Sequence, residues 1–328
     1  MKPLVVGCLS LTVAACVSSS PSLSIAPPIV LDQGTPIGIA VDSTSVYWTN
    51  LGGGAAGPDV APIMTVMKLP LRGGTAVALA SGQGAFGIAV DASSVYWTTG
   101  GSGTVMKVPL DGGTPVTLAT GQSAFGAFVI DSTSAYWTTP DTVMKVPLGG
   151  GTPVTLASNQ SSFGIAVDAT SVYWTNTGSS DAADGTVMKA RLDGGARVTL
   201  ATGQKWPVRI AVDSSNVYWT NQDTVMKAPL GGGPPVTLAS AQASRPYGLA
   251  VDSSSVYWTN GDGTVMRVPI GGGTTVTLAS RPPQPVGVEA DATSVAFGIA
   301  VDATNVYWAS GVNARGTIVS GTVLTTPK

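Results

Sequence analysis

The chain has 328 residues, a formal net charge of -2, no histidine, and charged side chains at only 10% of positions, well below the quarter usual for a globular protein. With no basic cluster, binding to a phosphate backbone is disfavoured and nucleic acid is not an expected partner. The lack of histidine removes the commonest general base, the Ser-His-Asp and Cys-His nucleophile systems, and most zinc sites.

Met1-Lys2 followed by an apolar run to Ala15 is a short positive n-region and an h-region too short to cross a membrane as a helix, which reads as an export signal. The run Val13-Ala14-Ala15-Cys16 resembles the lipobox of bacterial lipoproteins, which implies cleavage before Cys16 and acylation of that cysteine. Residues 1–15 are then a signal peptide, 16–27 a flexible Ser-rich tether, and 28–328 one folded domain. Cys8 and Cys16 are the only cysteines, so no disulfide is expected in the exported domain, whose length is ample for a large core without one.

From residue 28 onward one phrase recurs: Val-Asp or a close variant, three small polar residues, an apolar residue, then Tyr-Trp. The pairs fall at Tyr47-Trp48, Tyr96-Trp97, Tyr136-Trp137, Tyr173-Trp174, Tyr218-Trp219, Tyr257-Trp258 and Tyr307-Trp308. Their spacing of about 37 to 50 residues is the period of a four-stranded propeller blade. In the second unit, 87–91 is a short apolar run suited to an innermost strand A. After a tight turn, the β-branched and aromatic 94–98 forms strand B. Residues 104–110 form strand C, ending near Pro109, and Asp111-Gly112-Gly113 turns the chain into strand D at 115–119. The chain ends after a strand C with no strand D to follow, whereas 28–34 resembles the strand D segments. The expected fold is therefore all-β, a seven-bladed β-propeller of four-stranded antiparallel blades, closed by the N-terminal strand completing the last blade. Residues 287–295 look like a stuttered copy of 298–306, a local duplication before that blade.

The Tyr-Trp-Thr phrase resembles the YWTD-type propellers of lipoprotein-receptor ectodomains, and Gly-Ile-Ala-Val-Asp is similar to NHL-type repeats. The fourth YWTD position departs, with Asn50, Thr99, Thr139, Asn176, Asn221, Asn260 and Ser310 in place of Asp. The virginiamycin B lyase family is also similar as a seven-bladed ring, but the histidine chemistry expected of such a lyase has no counterpart here.

Residues repeated in every blade are read as structural. Asp42, Asp91, Asp131, Asp168, Asp213, Asp252 and Asp302 each precede a tight turn whose N–H groups they can accept. Lys68, Lys107, Lys145, Lys189, Lys227 and Arg267 lay their stems along blade faces with the heads in water, and the Tyr-Trp pairs pack between blades. Phe86, Phe125, Phe163 and Phe297 read as junction packing. Asn260-Gly261-Asp262-Gly263 lacks the glutamate of a calcium loop and is a plain turn.

Residues that break the repeat carry function. The A-to-B and C-to-D turns are short and uniform, while the opposite face varies, with B-to-C loops at 51–63, 177–185 and 311–316 and D-to-A connections at 205–209, 245–247 and 281–297. Trp206 is the only folded-domain tryptophan outside the repeat, and Arg209 stands where other units have glycine. With Lys205, Arg245 and Tyr247 these residues form the candidate binding site, since Trp, Tyr and Arg are the usual anchors of interfaces. The reading is a non-enzymatic, exported, lipid-anchored binding or scaffold module of the bacterial cell envelope for an unknown protein, peptide or glycan. It needs no metal or cofactor and meets the membrane only through its anchor. The alternatives are a carboxylate-dependent lyase or hydrolase using Glu289, Asp181 and Asp184, and a purely structural envelope protein.

Overall fold

The structure, a computed structural model, describes residues 29–50, 64–82, 84–100, 103–122, 126–179, 182–240, 242, 244–280, 293–314 and 317–328. The signal and tether, the 51–63 loop, most of the 281–297 insertion, Asp181, Glu289 and Phe125 lie outside these residues.

Among the described residues every regular element is a strand, and the strands form seven four-stranded antiparallel sheets. Six sheets run through consecutive strands. The seventh has strands A to C from Thr293–Val301, Asn305–Ala314 and Thr317–Pro327, while its fourth strand is Ile29–Gly34, so the N-terminal strand closes the ring. The fold is the expected seven-bladed propeller. One local expectation is corrected over its described residues: 311–314 is strand and not loop, because the last blade's B and C strands extend into a longer hairpin paired out to Ala314 and Thr317.

Successive residues of a strand face opposite sides of its sheet, and the Tyr-Trp pair uses this at every junction. Tyr47 of blade 1 packs in one apolar cluster with Trp97 of blade 2. Tyr96 meets Trp137, and so on round to Tyr307 of blade 7 against Trp48 of blade 1. All seven repeat tryptophans are 0% exposed. At roughly 200 Å² per ring, each contributes on the order of 5 kcal/mol of apolar burial, which makes these junctions the core.

Polar latches run beside the aromatic clusters. In strand A of blade 1 (Pro36–Val41) the register shifts between Pro36 and Ile39. At that irregularity the Gly38 N–H donates to Thr49 Oγ1 (3.1 Å), and the same hydroxyl donates to the Phe86 carbonyl of blade 2 (3.0 Å). Thr138 and Thr175 reach the carbonyls of Phe163 and Val208 in the same way. Near the opposite face, Lys68, Lys107, Lys145, Lys189 and Lys227 each donate to a C-to-D turn carbonyl of the next blade, at Leu110, Leu148, Leu192, Leu230 and Ile270. This corrects the expectation that the heads reach water. An ammonium beside a neighbouring backbone carbonyl links two blades instead.

Both latch series break at the seam between blades 7 and 1. Ala309 stands where the other units have threonine, and Thr325, opposite Tyr307, stands where they have lysine or arginine. A cavity of ≈ 460 Å³ opens there, lined by Val41, Asp42, Ser43, Val301, Asp302, Ala303 and Thr304. Lys328 ties the chain end back to blade 6 instead, through Asp252 and over the Tyr257 ring at 5.2 Å.

Candidate functional site

The seven repeated aspartates are fully committed to turns. Asp131 Oδ1 accepts from the N–H groups of Thr133 (2.6 Å) and Ser134 (2.8 Å) and from the Thr133 hydroxyl, while Oδ2 accepts from Tyr136 Oη at 2.7 Å. Burial alone would raise such a carboxyl, but the hydrogen bonds outweigh it and hold the aspartates below their ordinary pKa. Burial and the adjacent carboxylate push Tyr96, Tyr136, Tyr173 and Tyr218 up, and Tyr47 and Tyr307 to about 12. Among the described residues no three potential metal ligands come together. Asp184, one of the alternative acid/base candidates, accepts from the N–H and hydroxyl of Ser179 within its own loop.

The irregular residues gather where blade 5 meets its neighbours. Strand D of blade 4 (Val198–Gln204) leads into Lys205, Trp206, Pro207, Val208 and Arg209 before strand A of blade 5 (Ile210–Val212). This connection is pinned on both sides of Trp206. Gln204 Oε1 accepts from Trp219 Nε1 (2.9 Å) and Asn221 Nδ2 (3.1 Å), and the Lys205 carbonyl accepts from the Gln222 N–H (3.0 Å). Beyond it, Val208 N–H donates to the Thr220 carbonyl at 2.9 Å. Between these anchors Trp206 takes φ 54°, a left-handed conformation uncommon for a bulky side chain and costing about 1–3 kcal/mol. The partly exposed indole carries the Arg245 guanidinium over its ring at 5.2 Å, a cation–π contact between adjacent units.

Arg209 forms the second half of the site. Glycine is needed at its position where a neighbouring strand A comes close: a Cβ at Gly38 would lie 2.5 Å from the Phe86 carbonyl, and one at Gly164 2.3 Å from that of Val208. Blade 3 departs as well, with Ala127, so Arg209 is not alone in breaking this rule. At the junction of blades 5 and 6 the Tyr247 carbonyl accepts from Arg209 Nε at 3.0 Å, and the guanidinium lies 5.2 Å from the centre of the Phe163 ring of blade 4. One side chain thus touches both neighbouring blades at the inner rim. Burial lowers its pKa, and a guanidinium stays protonated in a protein, so it is a cation.

Trp206 with Arg245, and Arg209 with Tyr247, are therefore brought together in contacting pairs at one junction. Lys205 is exposed beside them and contributes its carbonyl to the scaffold. Two supports were missed from sequence. Phe163 seats Arg209 but belongs to a recurrent phenylalanine position, and Gln160, Gln204 and Gln242 fix the D-to-A connections by bonding the next blade's Trp and Asn. The glutamine signal was available, because Gln recurs shortly after each Leu-Ala of strand D.

No family model and no curated protein matches the chain. Solved structures match its shape. A chain of the nidogen/laminin complex aligns with TM-score 0.56 at 19% identity, covering 74% of this chain and 94% of that one. The WD40 propeller of Doa1 aligns with TM-score 0.65 at 13% identity, covering 90% and 96%. BamB from Moraxella catarrhalis aligns with TM-score 0.51 at 12% identity, covering 89% and 85%. At these identities the likeness is one of fold: the chain is a β-propeller repeat protein.

Proposed function

We propose that the protein is a non-enzymatic binding or scaffold module, exported and held at the cell envelope through Cys16, that presents the face bearing the D-to-A connections to a protein, peptide or glycan. One observation carries this reading. The side chains that break the repeat, Trp206, Arg209, Arg245 and Tyr247, sit at one junction, with Trp206 held in a costly backbone conformation that the fold does not require. One similar fold comes from a nidogen/laminin complex, which supports the use of such a ring for partner capture by analogy of shape.

The test is crosslinking on intact cells. Trp206→Ala combined with Arg245→Ala is expected to abolish the adduct while the melting temperature stays within a few degrees of wild type. An undiminished adduct would remove this face from the reading. Labelling with a fatty acid should mark the protein and fail in Cys16→Ser, and label retained in that variant would refute the anchor.

A further inference from the structure

Besides Arg209, eight of the thirteen described cations bond a carbonyl or a carboxylate, Arg72 and Arg267 lie apart in blades 1 and 6, and the remaining three, Arg209 among them, fall at one place. Five repeat lysines bond neighbouring carbonyls, Arg191 pairs with Asp193, Arg197 donates to the Ser158 carbonyl, and Lys328 pairs with Asp252. At the junction of blades 5 and 6, by contrast, Lys205, Arg209 and Arg245 have no carboxylate within ion-pair distance among the described residues. The nearby turns carry Asp223 and Asp262. The latter accepts from the N–H and hydroxyl of Thr264 (3.0 and 2.7 Å), and neither pairs with these cations. Arg209 donates only through Nε, so the rest of its five-donor fork has no partner among the described residues. The repeat lysines also lack a carboxylate but are spread one to a blade, whereas three cations gathered at one junction with no carboxylate in reach among the described residues suit an anionic ligand.

A second observation narrows the class. Phe163, under the Arg209 guanidinium, is 36% exposed, whereas the repeat tryptophans are fully buried. Part of an apolar ring is therefore open to solvent beside the guanidinium that lies over it. The carbonyls of the inner rim at Phe86, Phe163, Val208 and Tyr247 are already taken by Thr49, Thr138, Thr175 and Arg209. Each already holds one bond, so an extended peptide pairing there would have only the second lone pair of each carbonyl. Recognition there falls to a ring face and a planar cation, which suits a sugar ring with one apolar face and a carboxylate. We propose that Arg209 and Phe163, flanked by Lys205 and Arg245, form a subsite for a uronic-acid residue of an acidic saccharide. This rests on the binding-module reading above and names the ligand class of the same face.

The test is titration of the full-length protein with trigalacturonate, its fully methyl-esterified counterpart and hexaglutamate, followed by calorimetry. Trigalacturonate is expected to bind, and the ester and hexaglutamate to bind at least about tenfold more weakly. Arg209→Gln should weaken trigalacturonate about tenfold or more, the range for loss of a charge-assisted contact. Arg209→Lys keeps the charge while losing the planar fork and the Nε bond to Tyr247, and should bind more weakly than wild type but more tightly than Arg209→Gln. Should Arg209→Gln fail to fold, Lys205→Gln with Arg245→Gln removes charge without touching strand A and is expected to weaken binding several-fold. No binding of trigalacturonate, binding indifferent to all these substitutions, or hexaglutamate bound as tightly would overturn the proposal. If the saccharide fails while the cellular adduct still depends on Trp206 and Arg245, only this inference falls. Loss of both removes the module reading too.

Discussion

At the residue scale, one hydrogen-bonded unit is repeated until it dominates the acid–base behaviour of the molecule. Each aspartate sits below its ordinary pKa, and Tyr47, Tyr96, Tyr136, Tyr173, Tyr218 and Tyr307 sit above theirs, so the two kinds of group set opposite limits. A depressed carboxyl contributes stability that is in place above about pH 4 and lost as the pH falls through the folded value. A raised tyrosine contributes stability that is in place below about pH 10 and lost as the pH rises toward the folded value, about 12 for Tyr47 and Tyr307. Each carboxylate is partly exposed, so its share is small, but the repetition sums. Melting temperature should therefore stay level from pH 5 to 9, by roughly these limits, and fall on both sides. Tyr136→Phe should cost about 1 kcal/mol and soften the alkaline side, and Asp131→Ala about 2 kcal/mol, because two N–H groups lose their acceptor. An alkaline side unchanged by replacing several of the tyrosines would refute this assignment.

At the element scale, blade spacing is set by where strand A carries no side chain. Gly164→Ala would drive a Cβ into the Val208 carbonyl at 2.3 Å and should destabilise by about 2 kcal/mol or more. Gly149→Ala, in a C-to-D turn with open space around it, should stay within about 0.5 kcal/mol of wild type. Chemical denaturation of both variants checks the contrast, and equal effects would sink it. The same scale shows what the sequence made legible. The Tyr-Trp pair, the prolines closing strand C and the glycine pairs of the turns repeat in register with the blade, so strand order and partners followed from them. The lysine heads were misread because their acceptors are backbone carbonyls about 40 residues away, and a carbonyl has no sequence signature. Trp206 and Arg209 stood out by breaking the pattern. Phe163, equally placed at the site, was hidden because it keeps the pattern.

At the scale of the whole molecule, the N-terminal strand supplies the outer edge of the last blade, pairing Ile29 with Thr325 and Gly34 with Gly321. Deleting residues 29–34 bares the edge of strand C and strips Leu31 from the cluster of Trp48 and Tyr307. The truncated protein should lose its cooperative melt or aggregate. A sharp transition at the wild-type temperature would contradict closure through this strand.

The seam where Ala309 and Thr325 replace the bridging side chains gives the ring a direction of weakness. Five joints carry a lysine bridge and a sixth the Lys328–Asp252 pair, whereas among the described residues this one shows neither and is held by the apolar cluster of Trp48 and Tyr307. That joint therefore rests on packed apolar rings, and its grip should be indifferent to added salt.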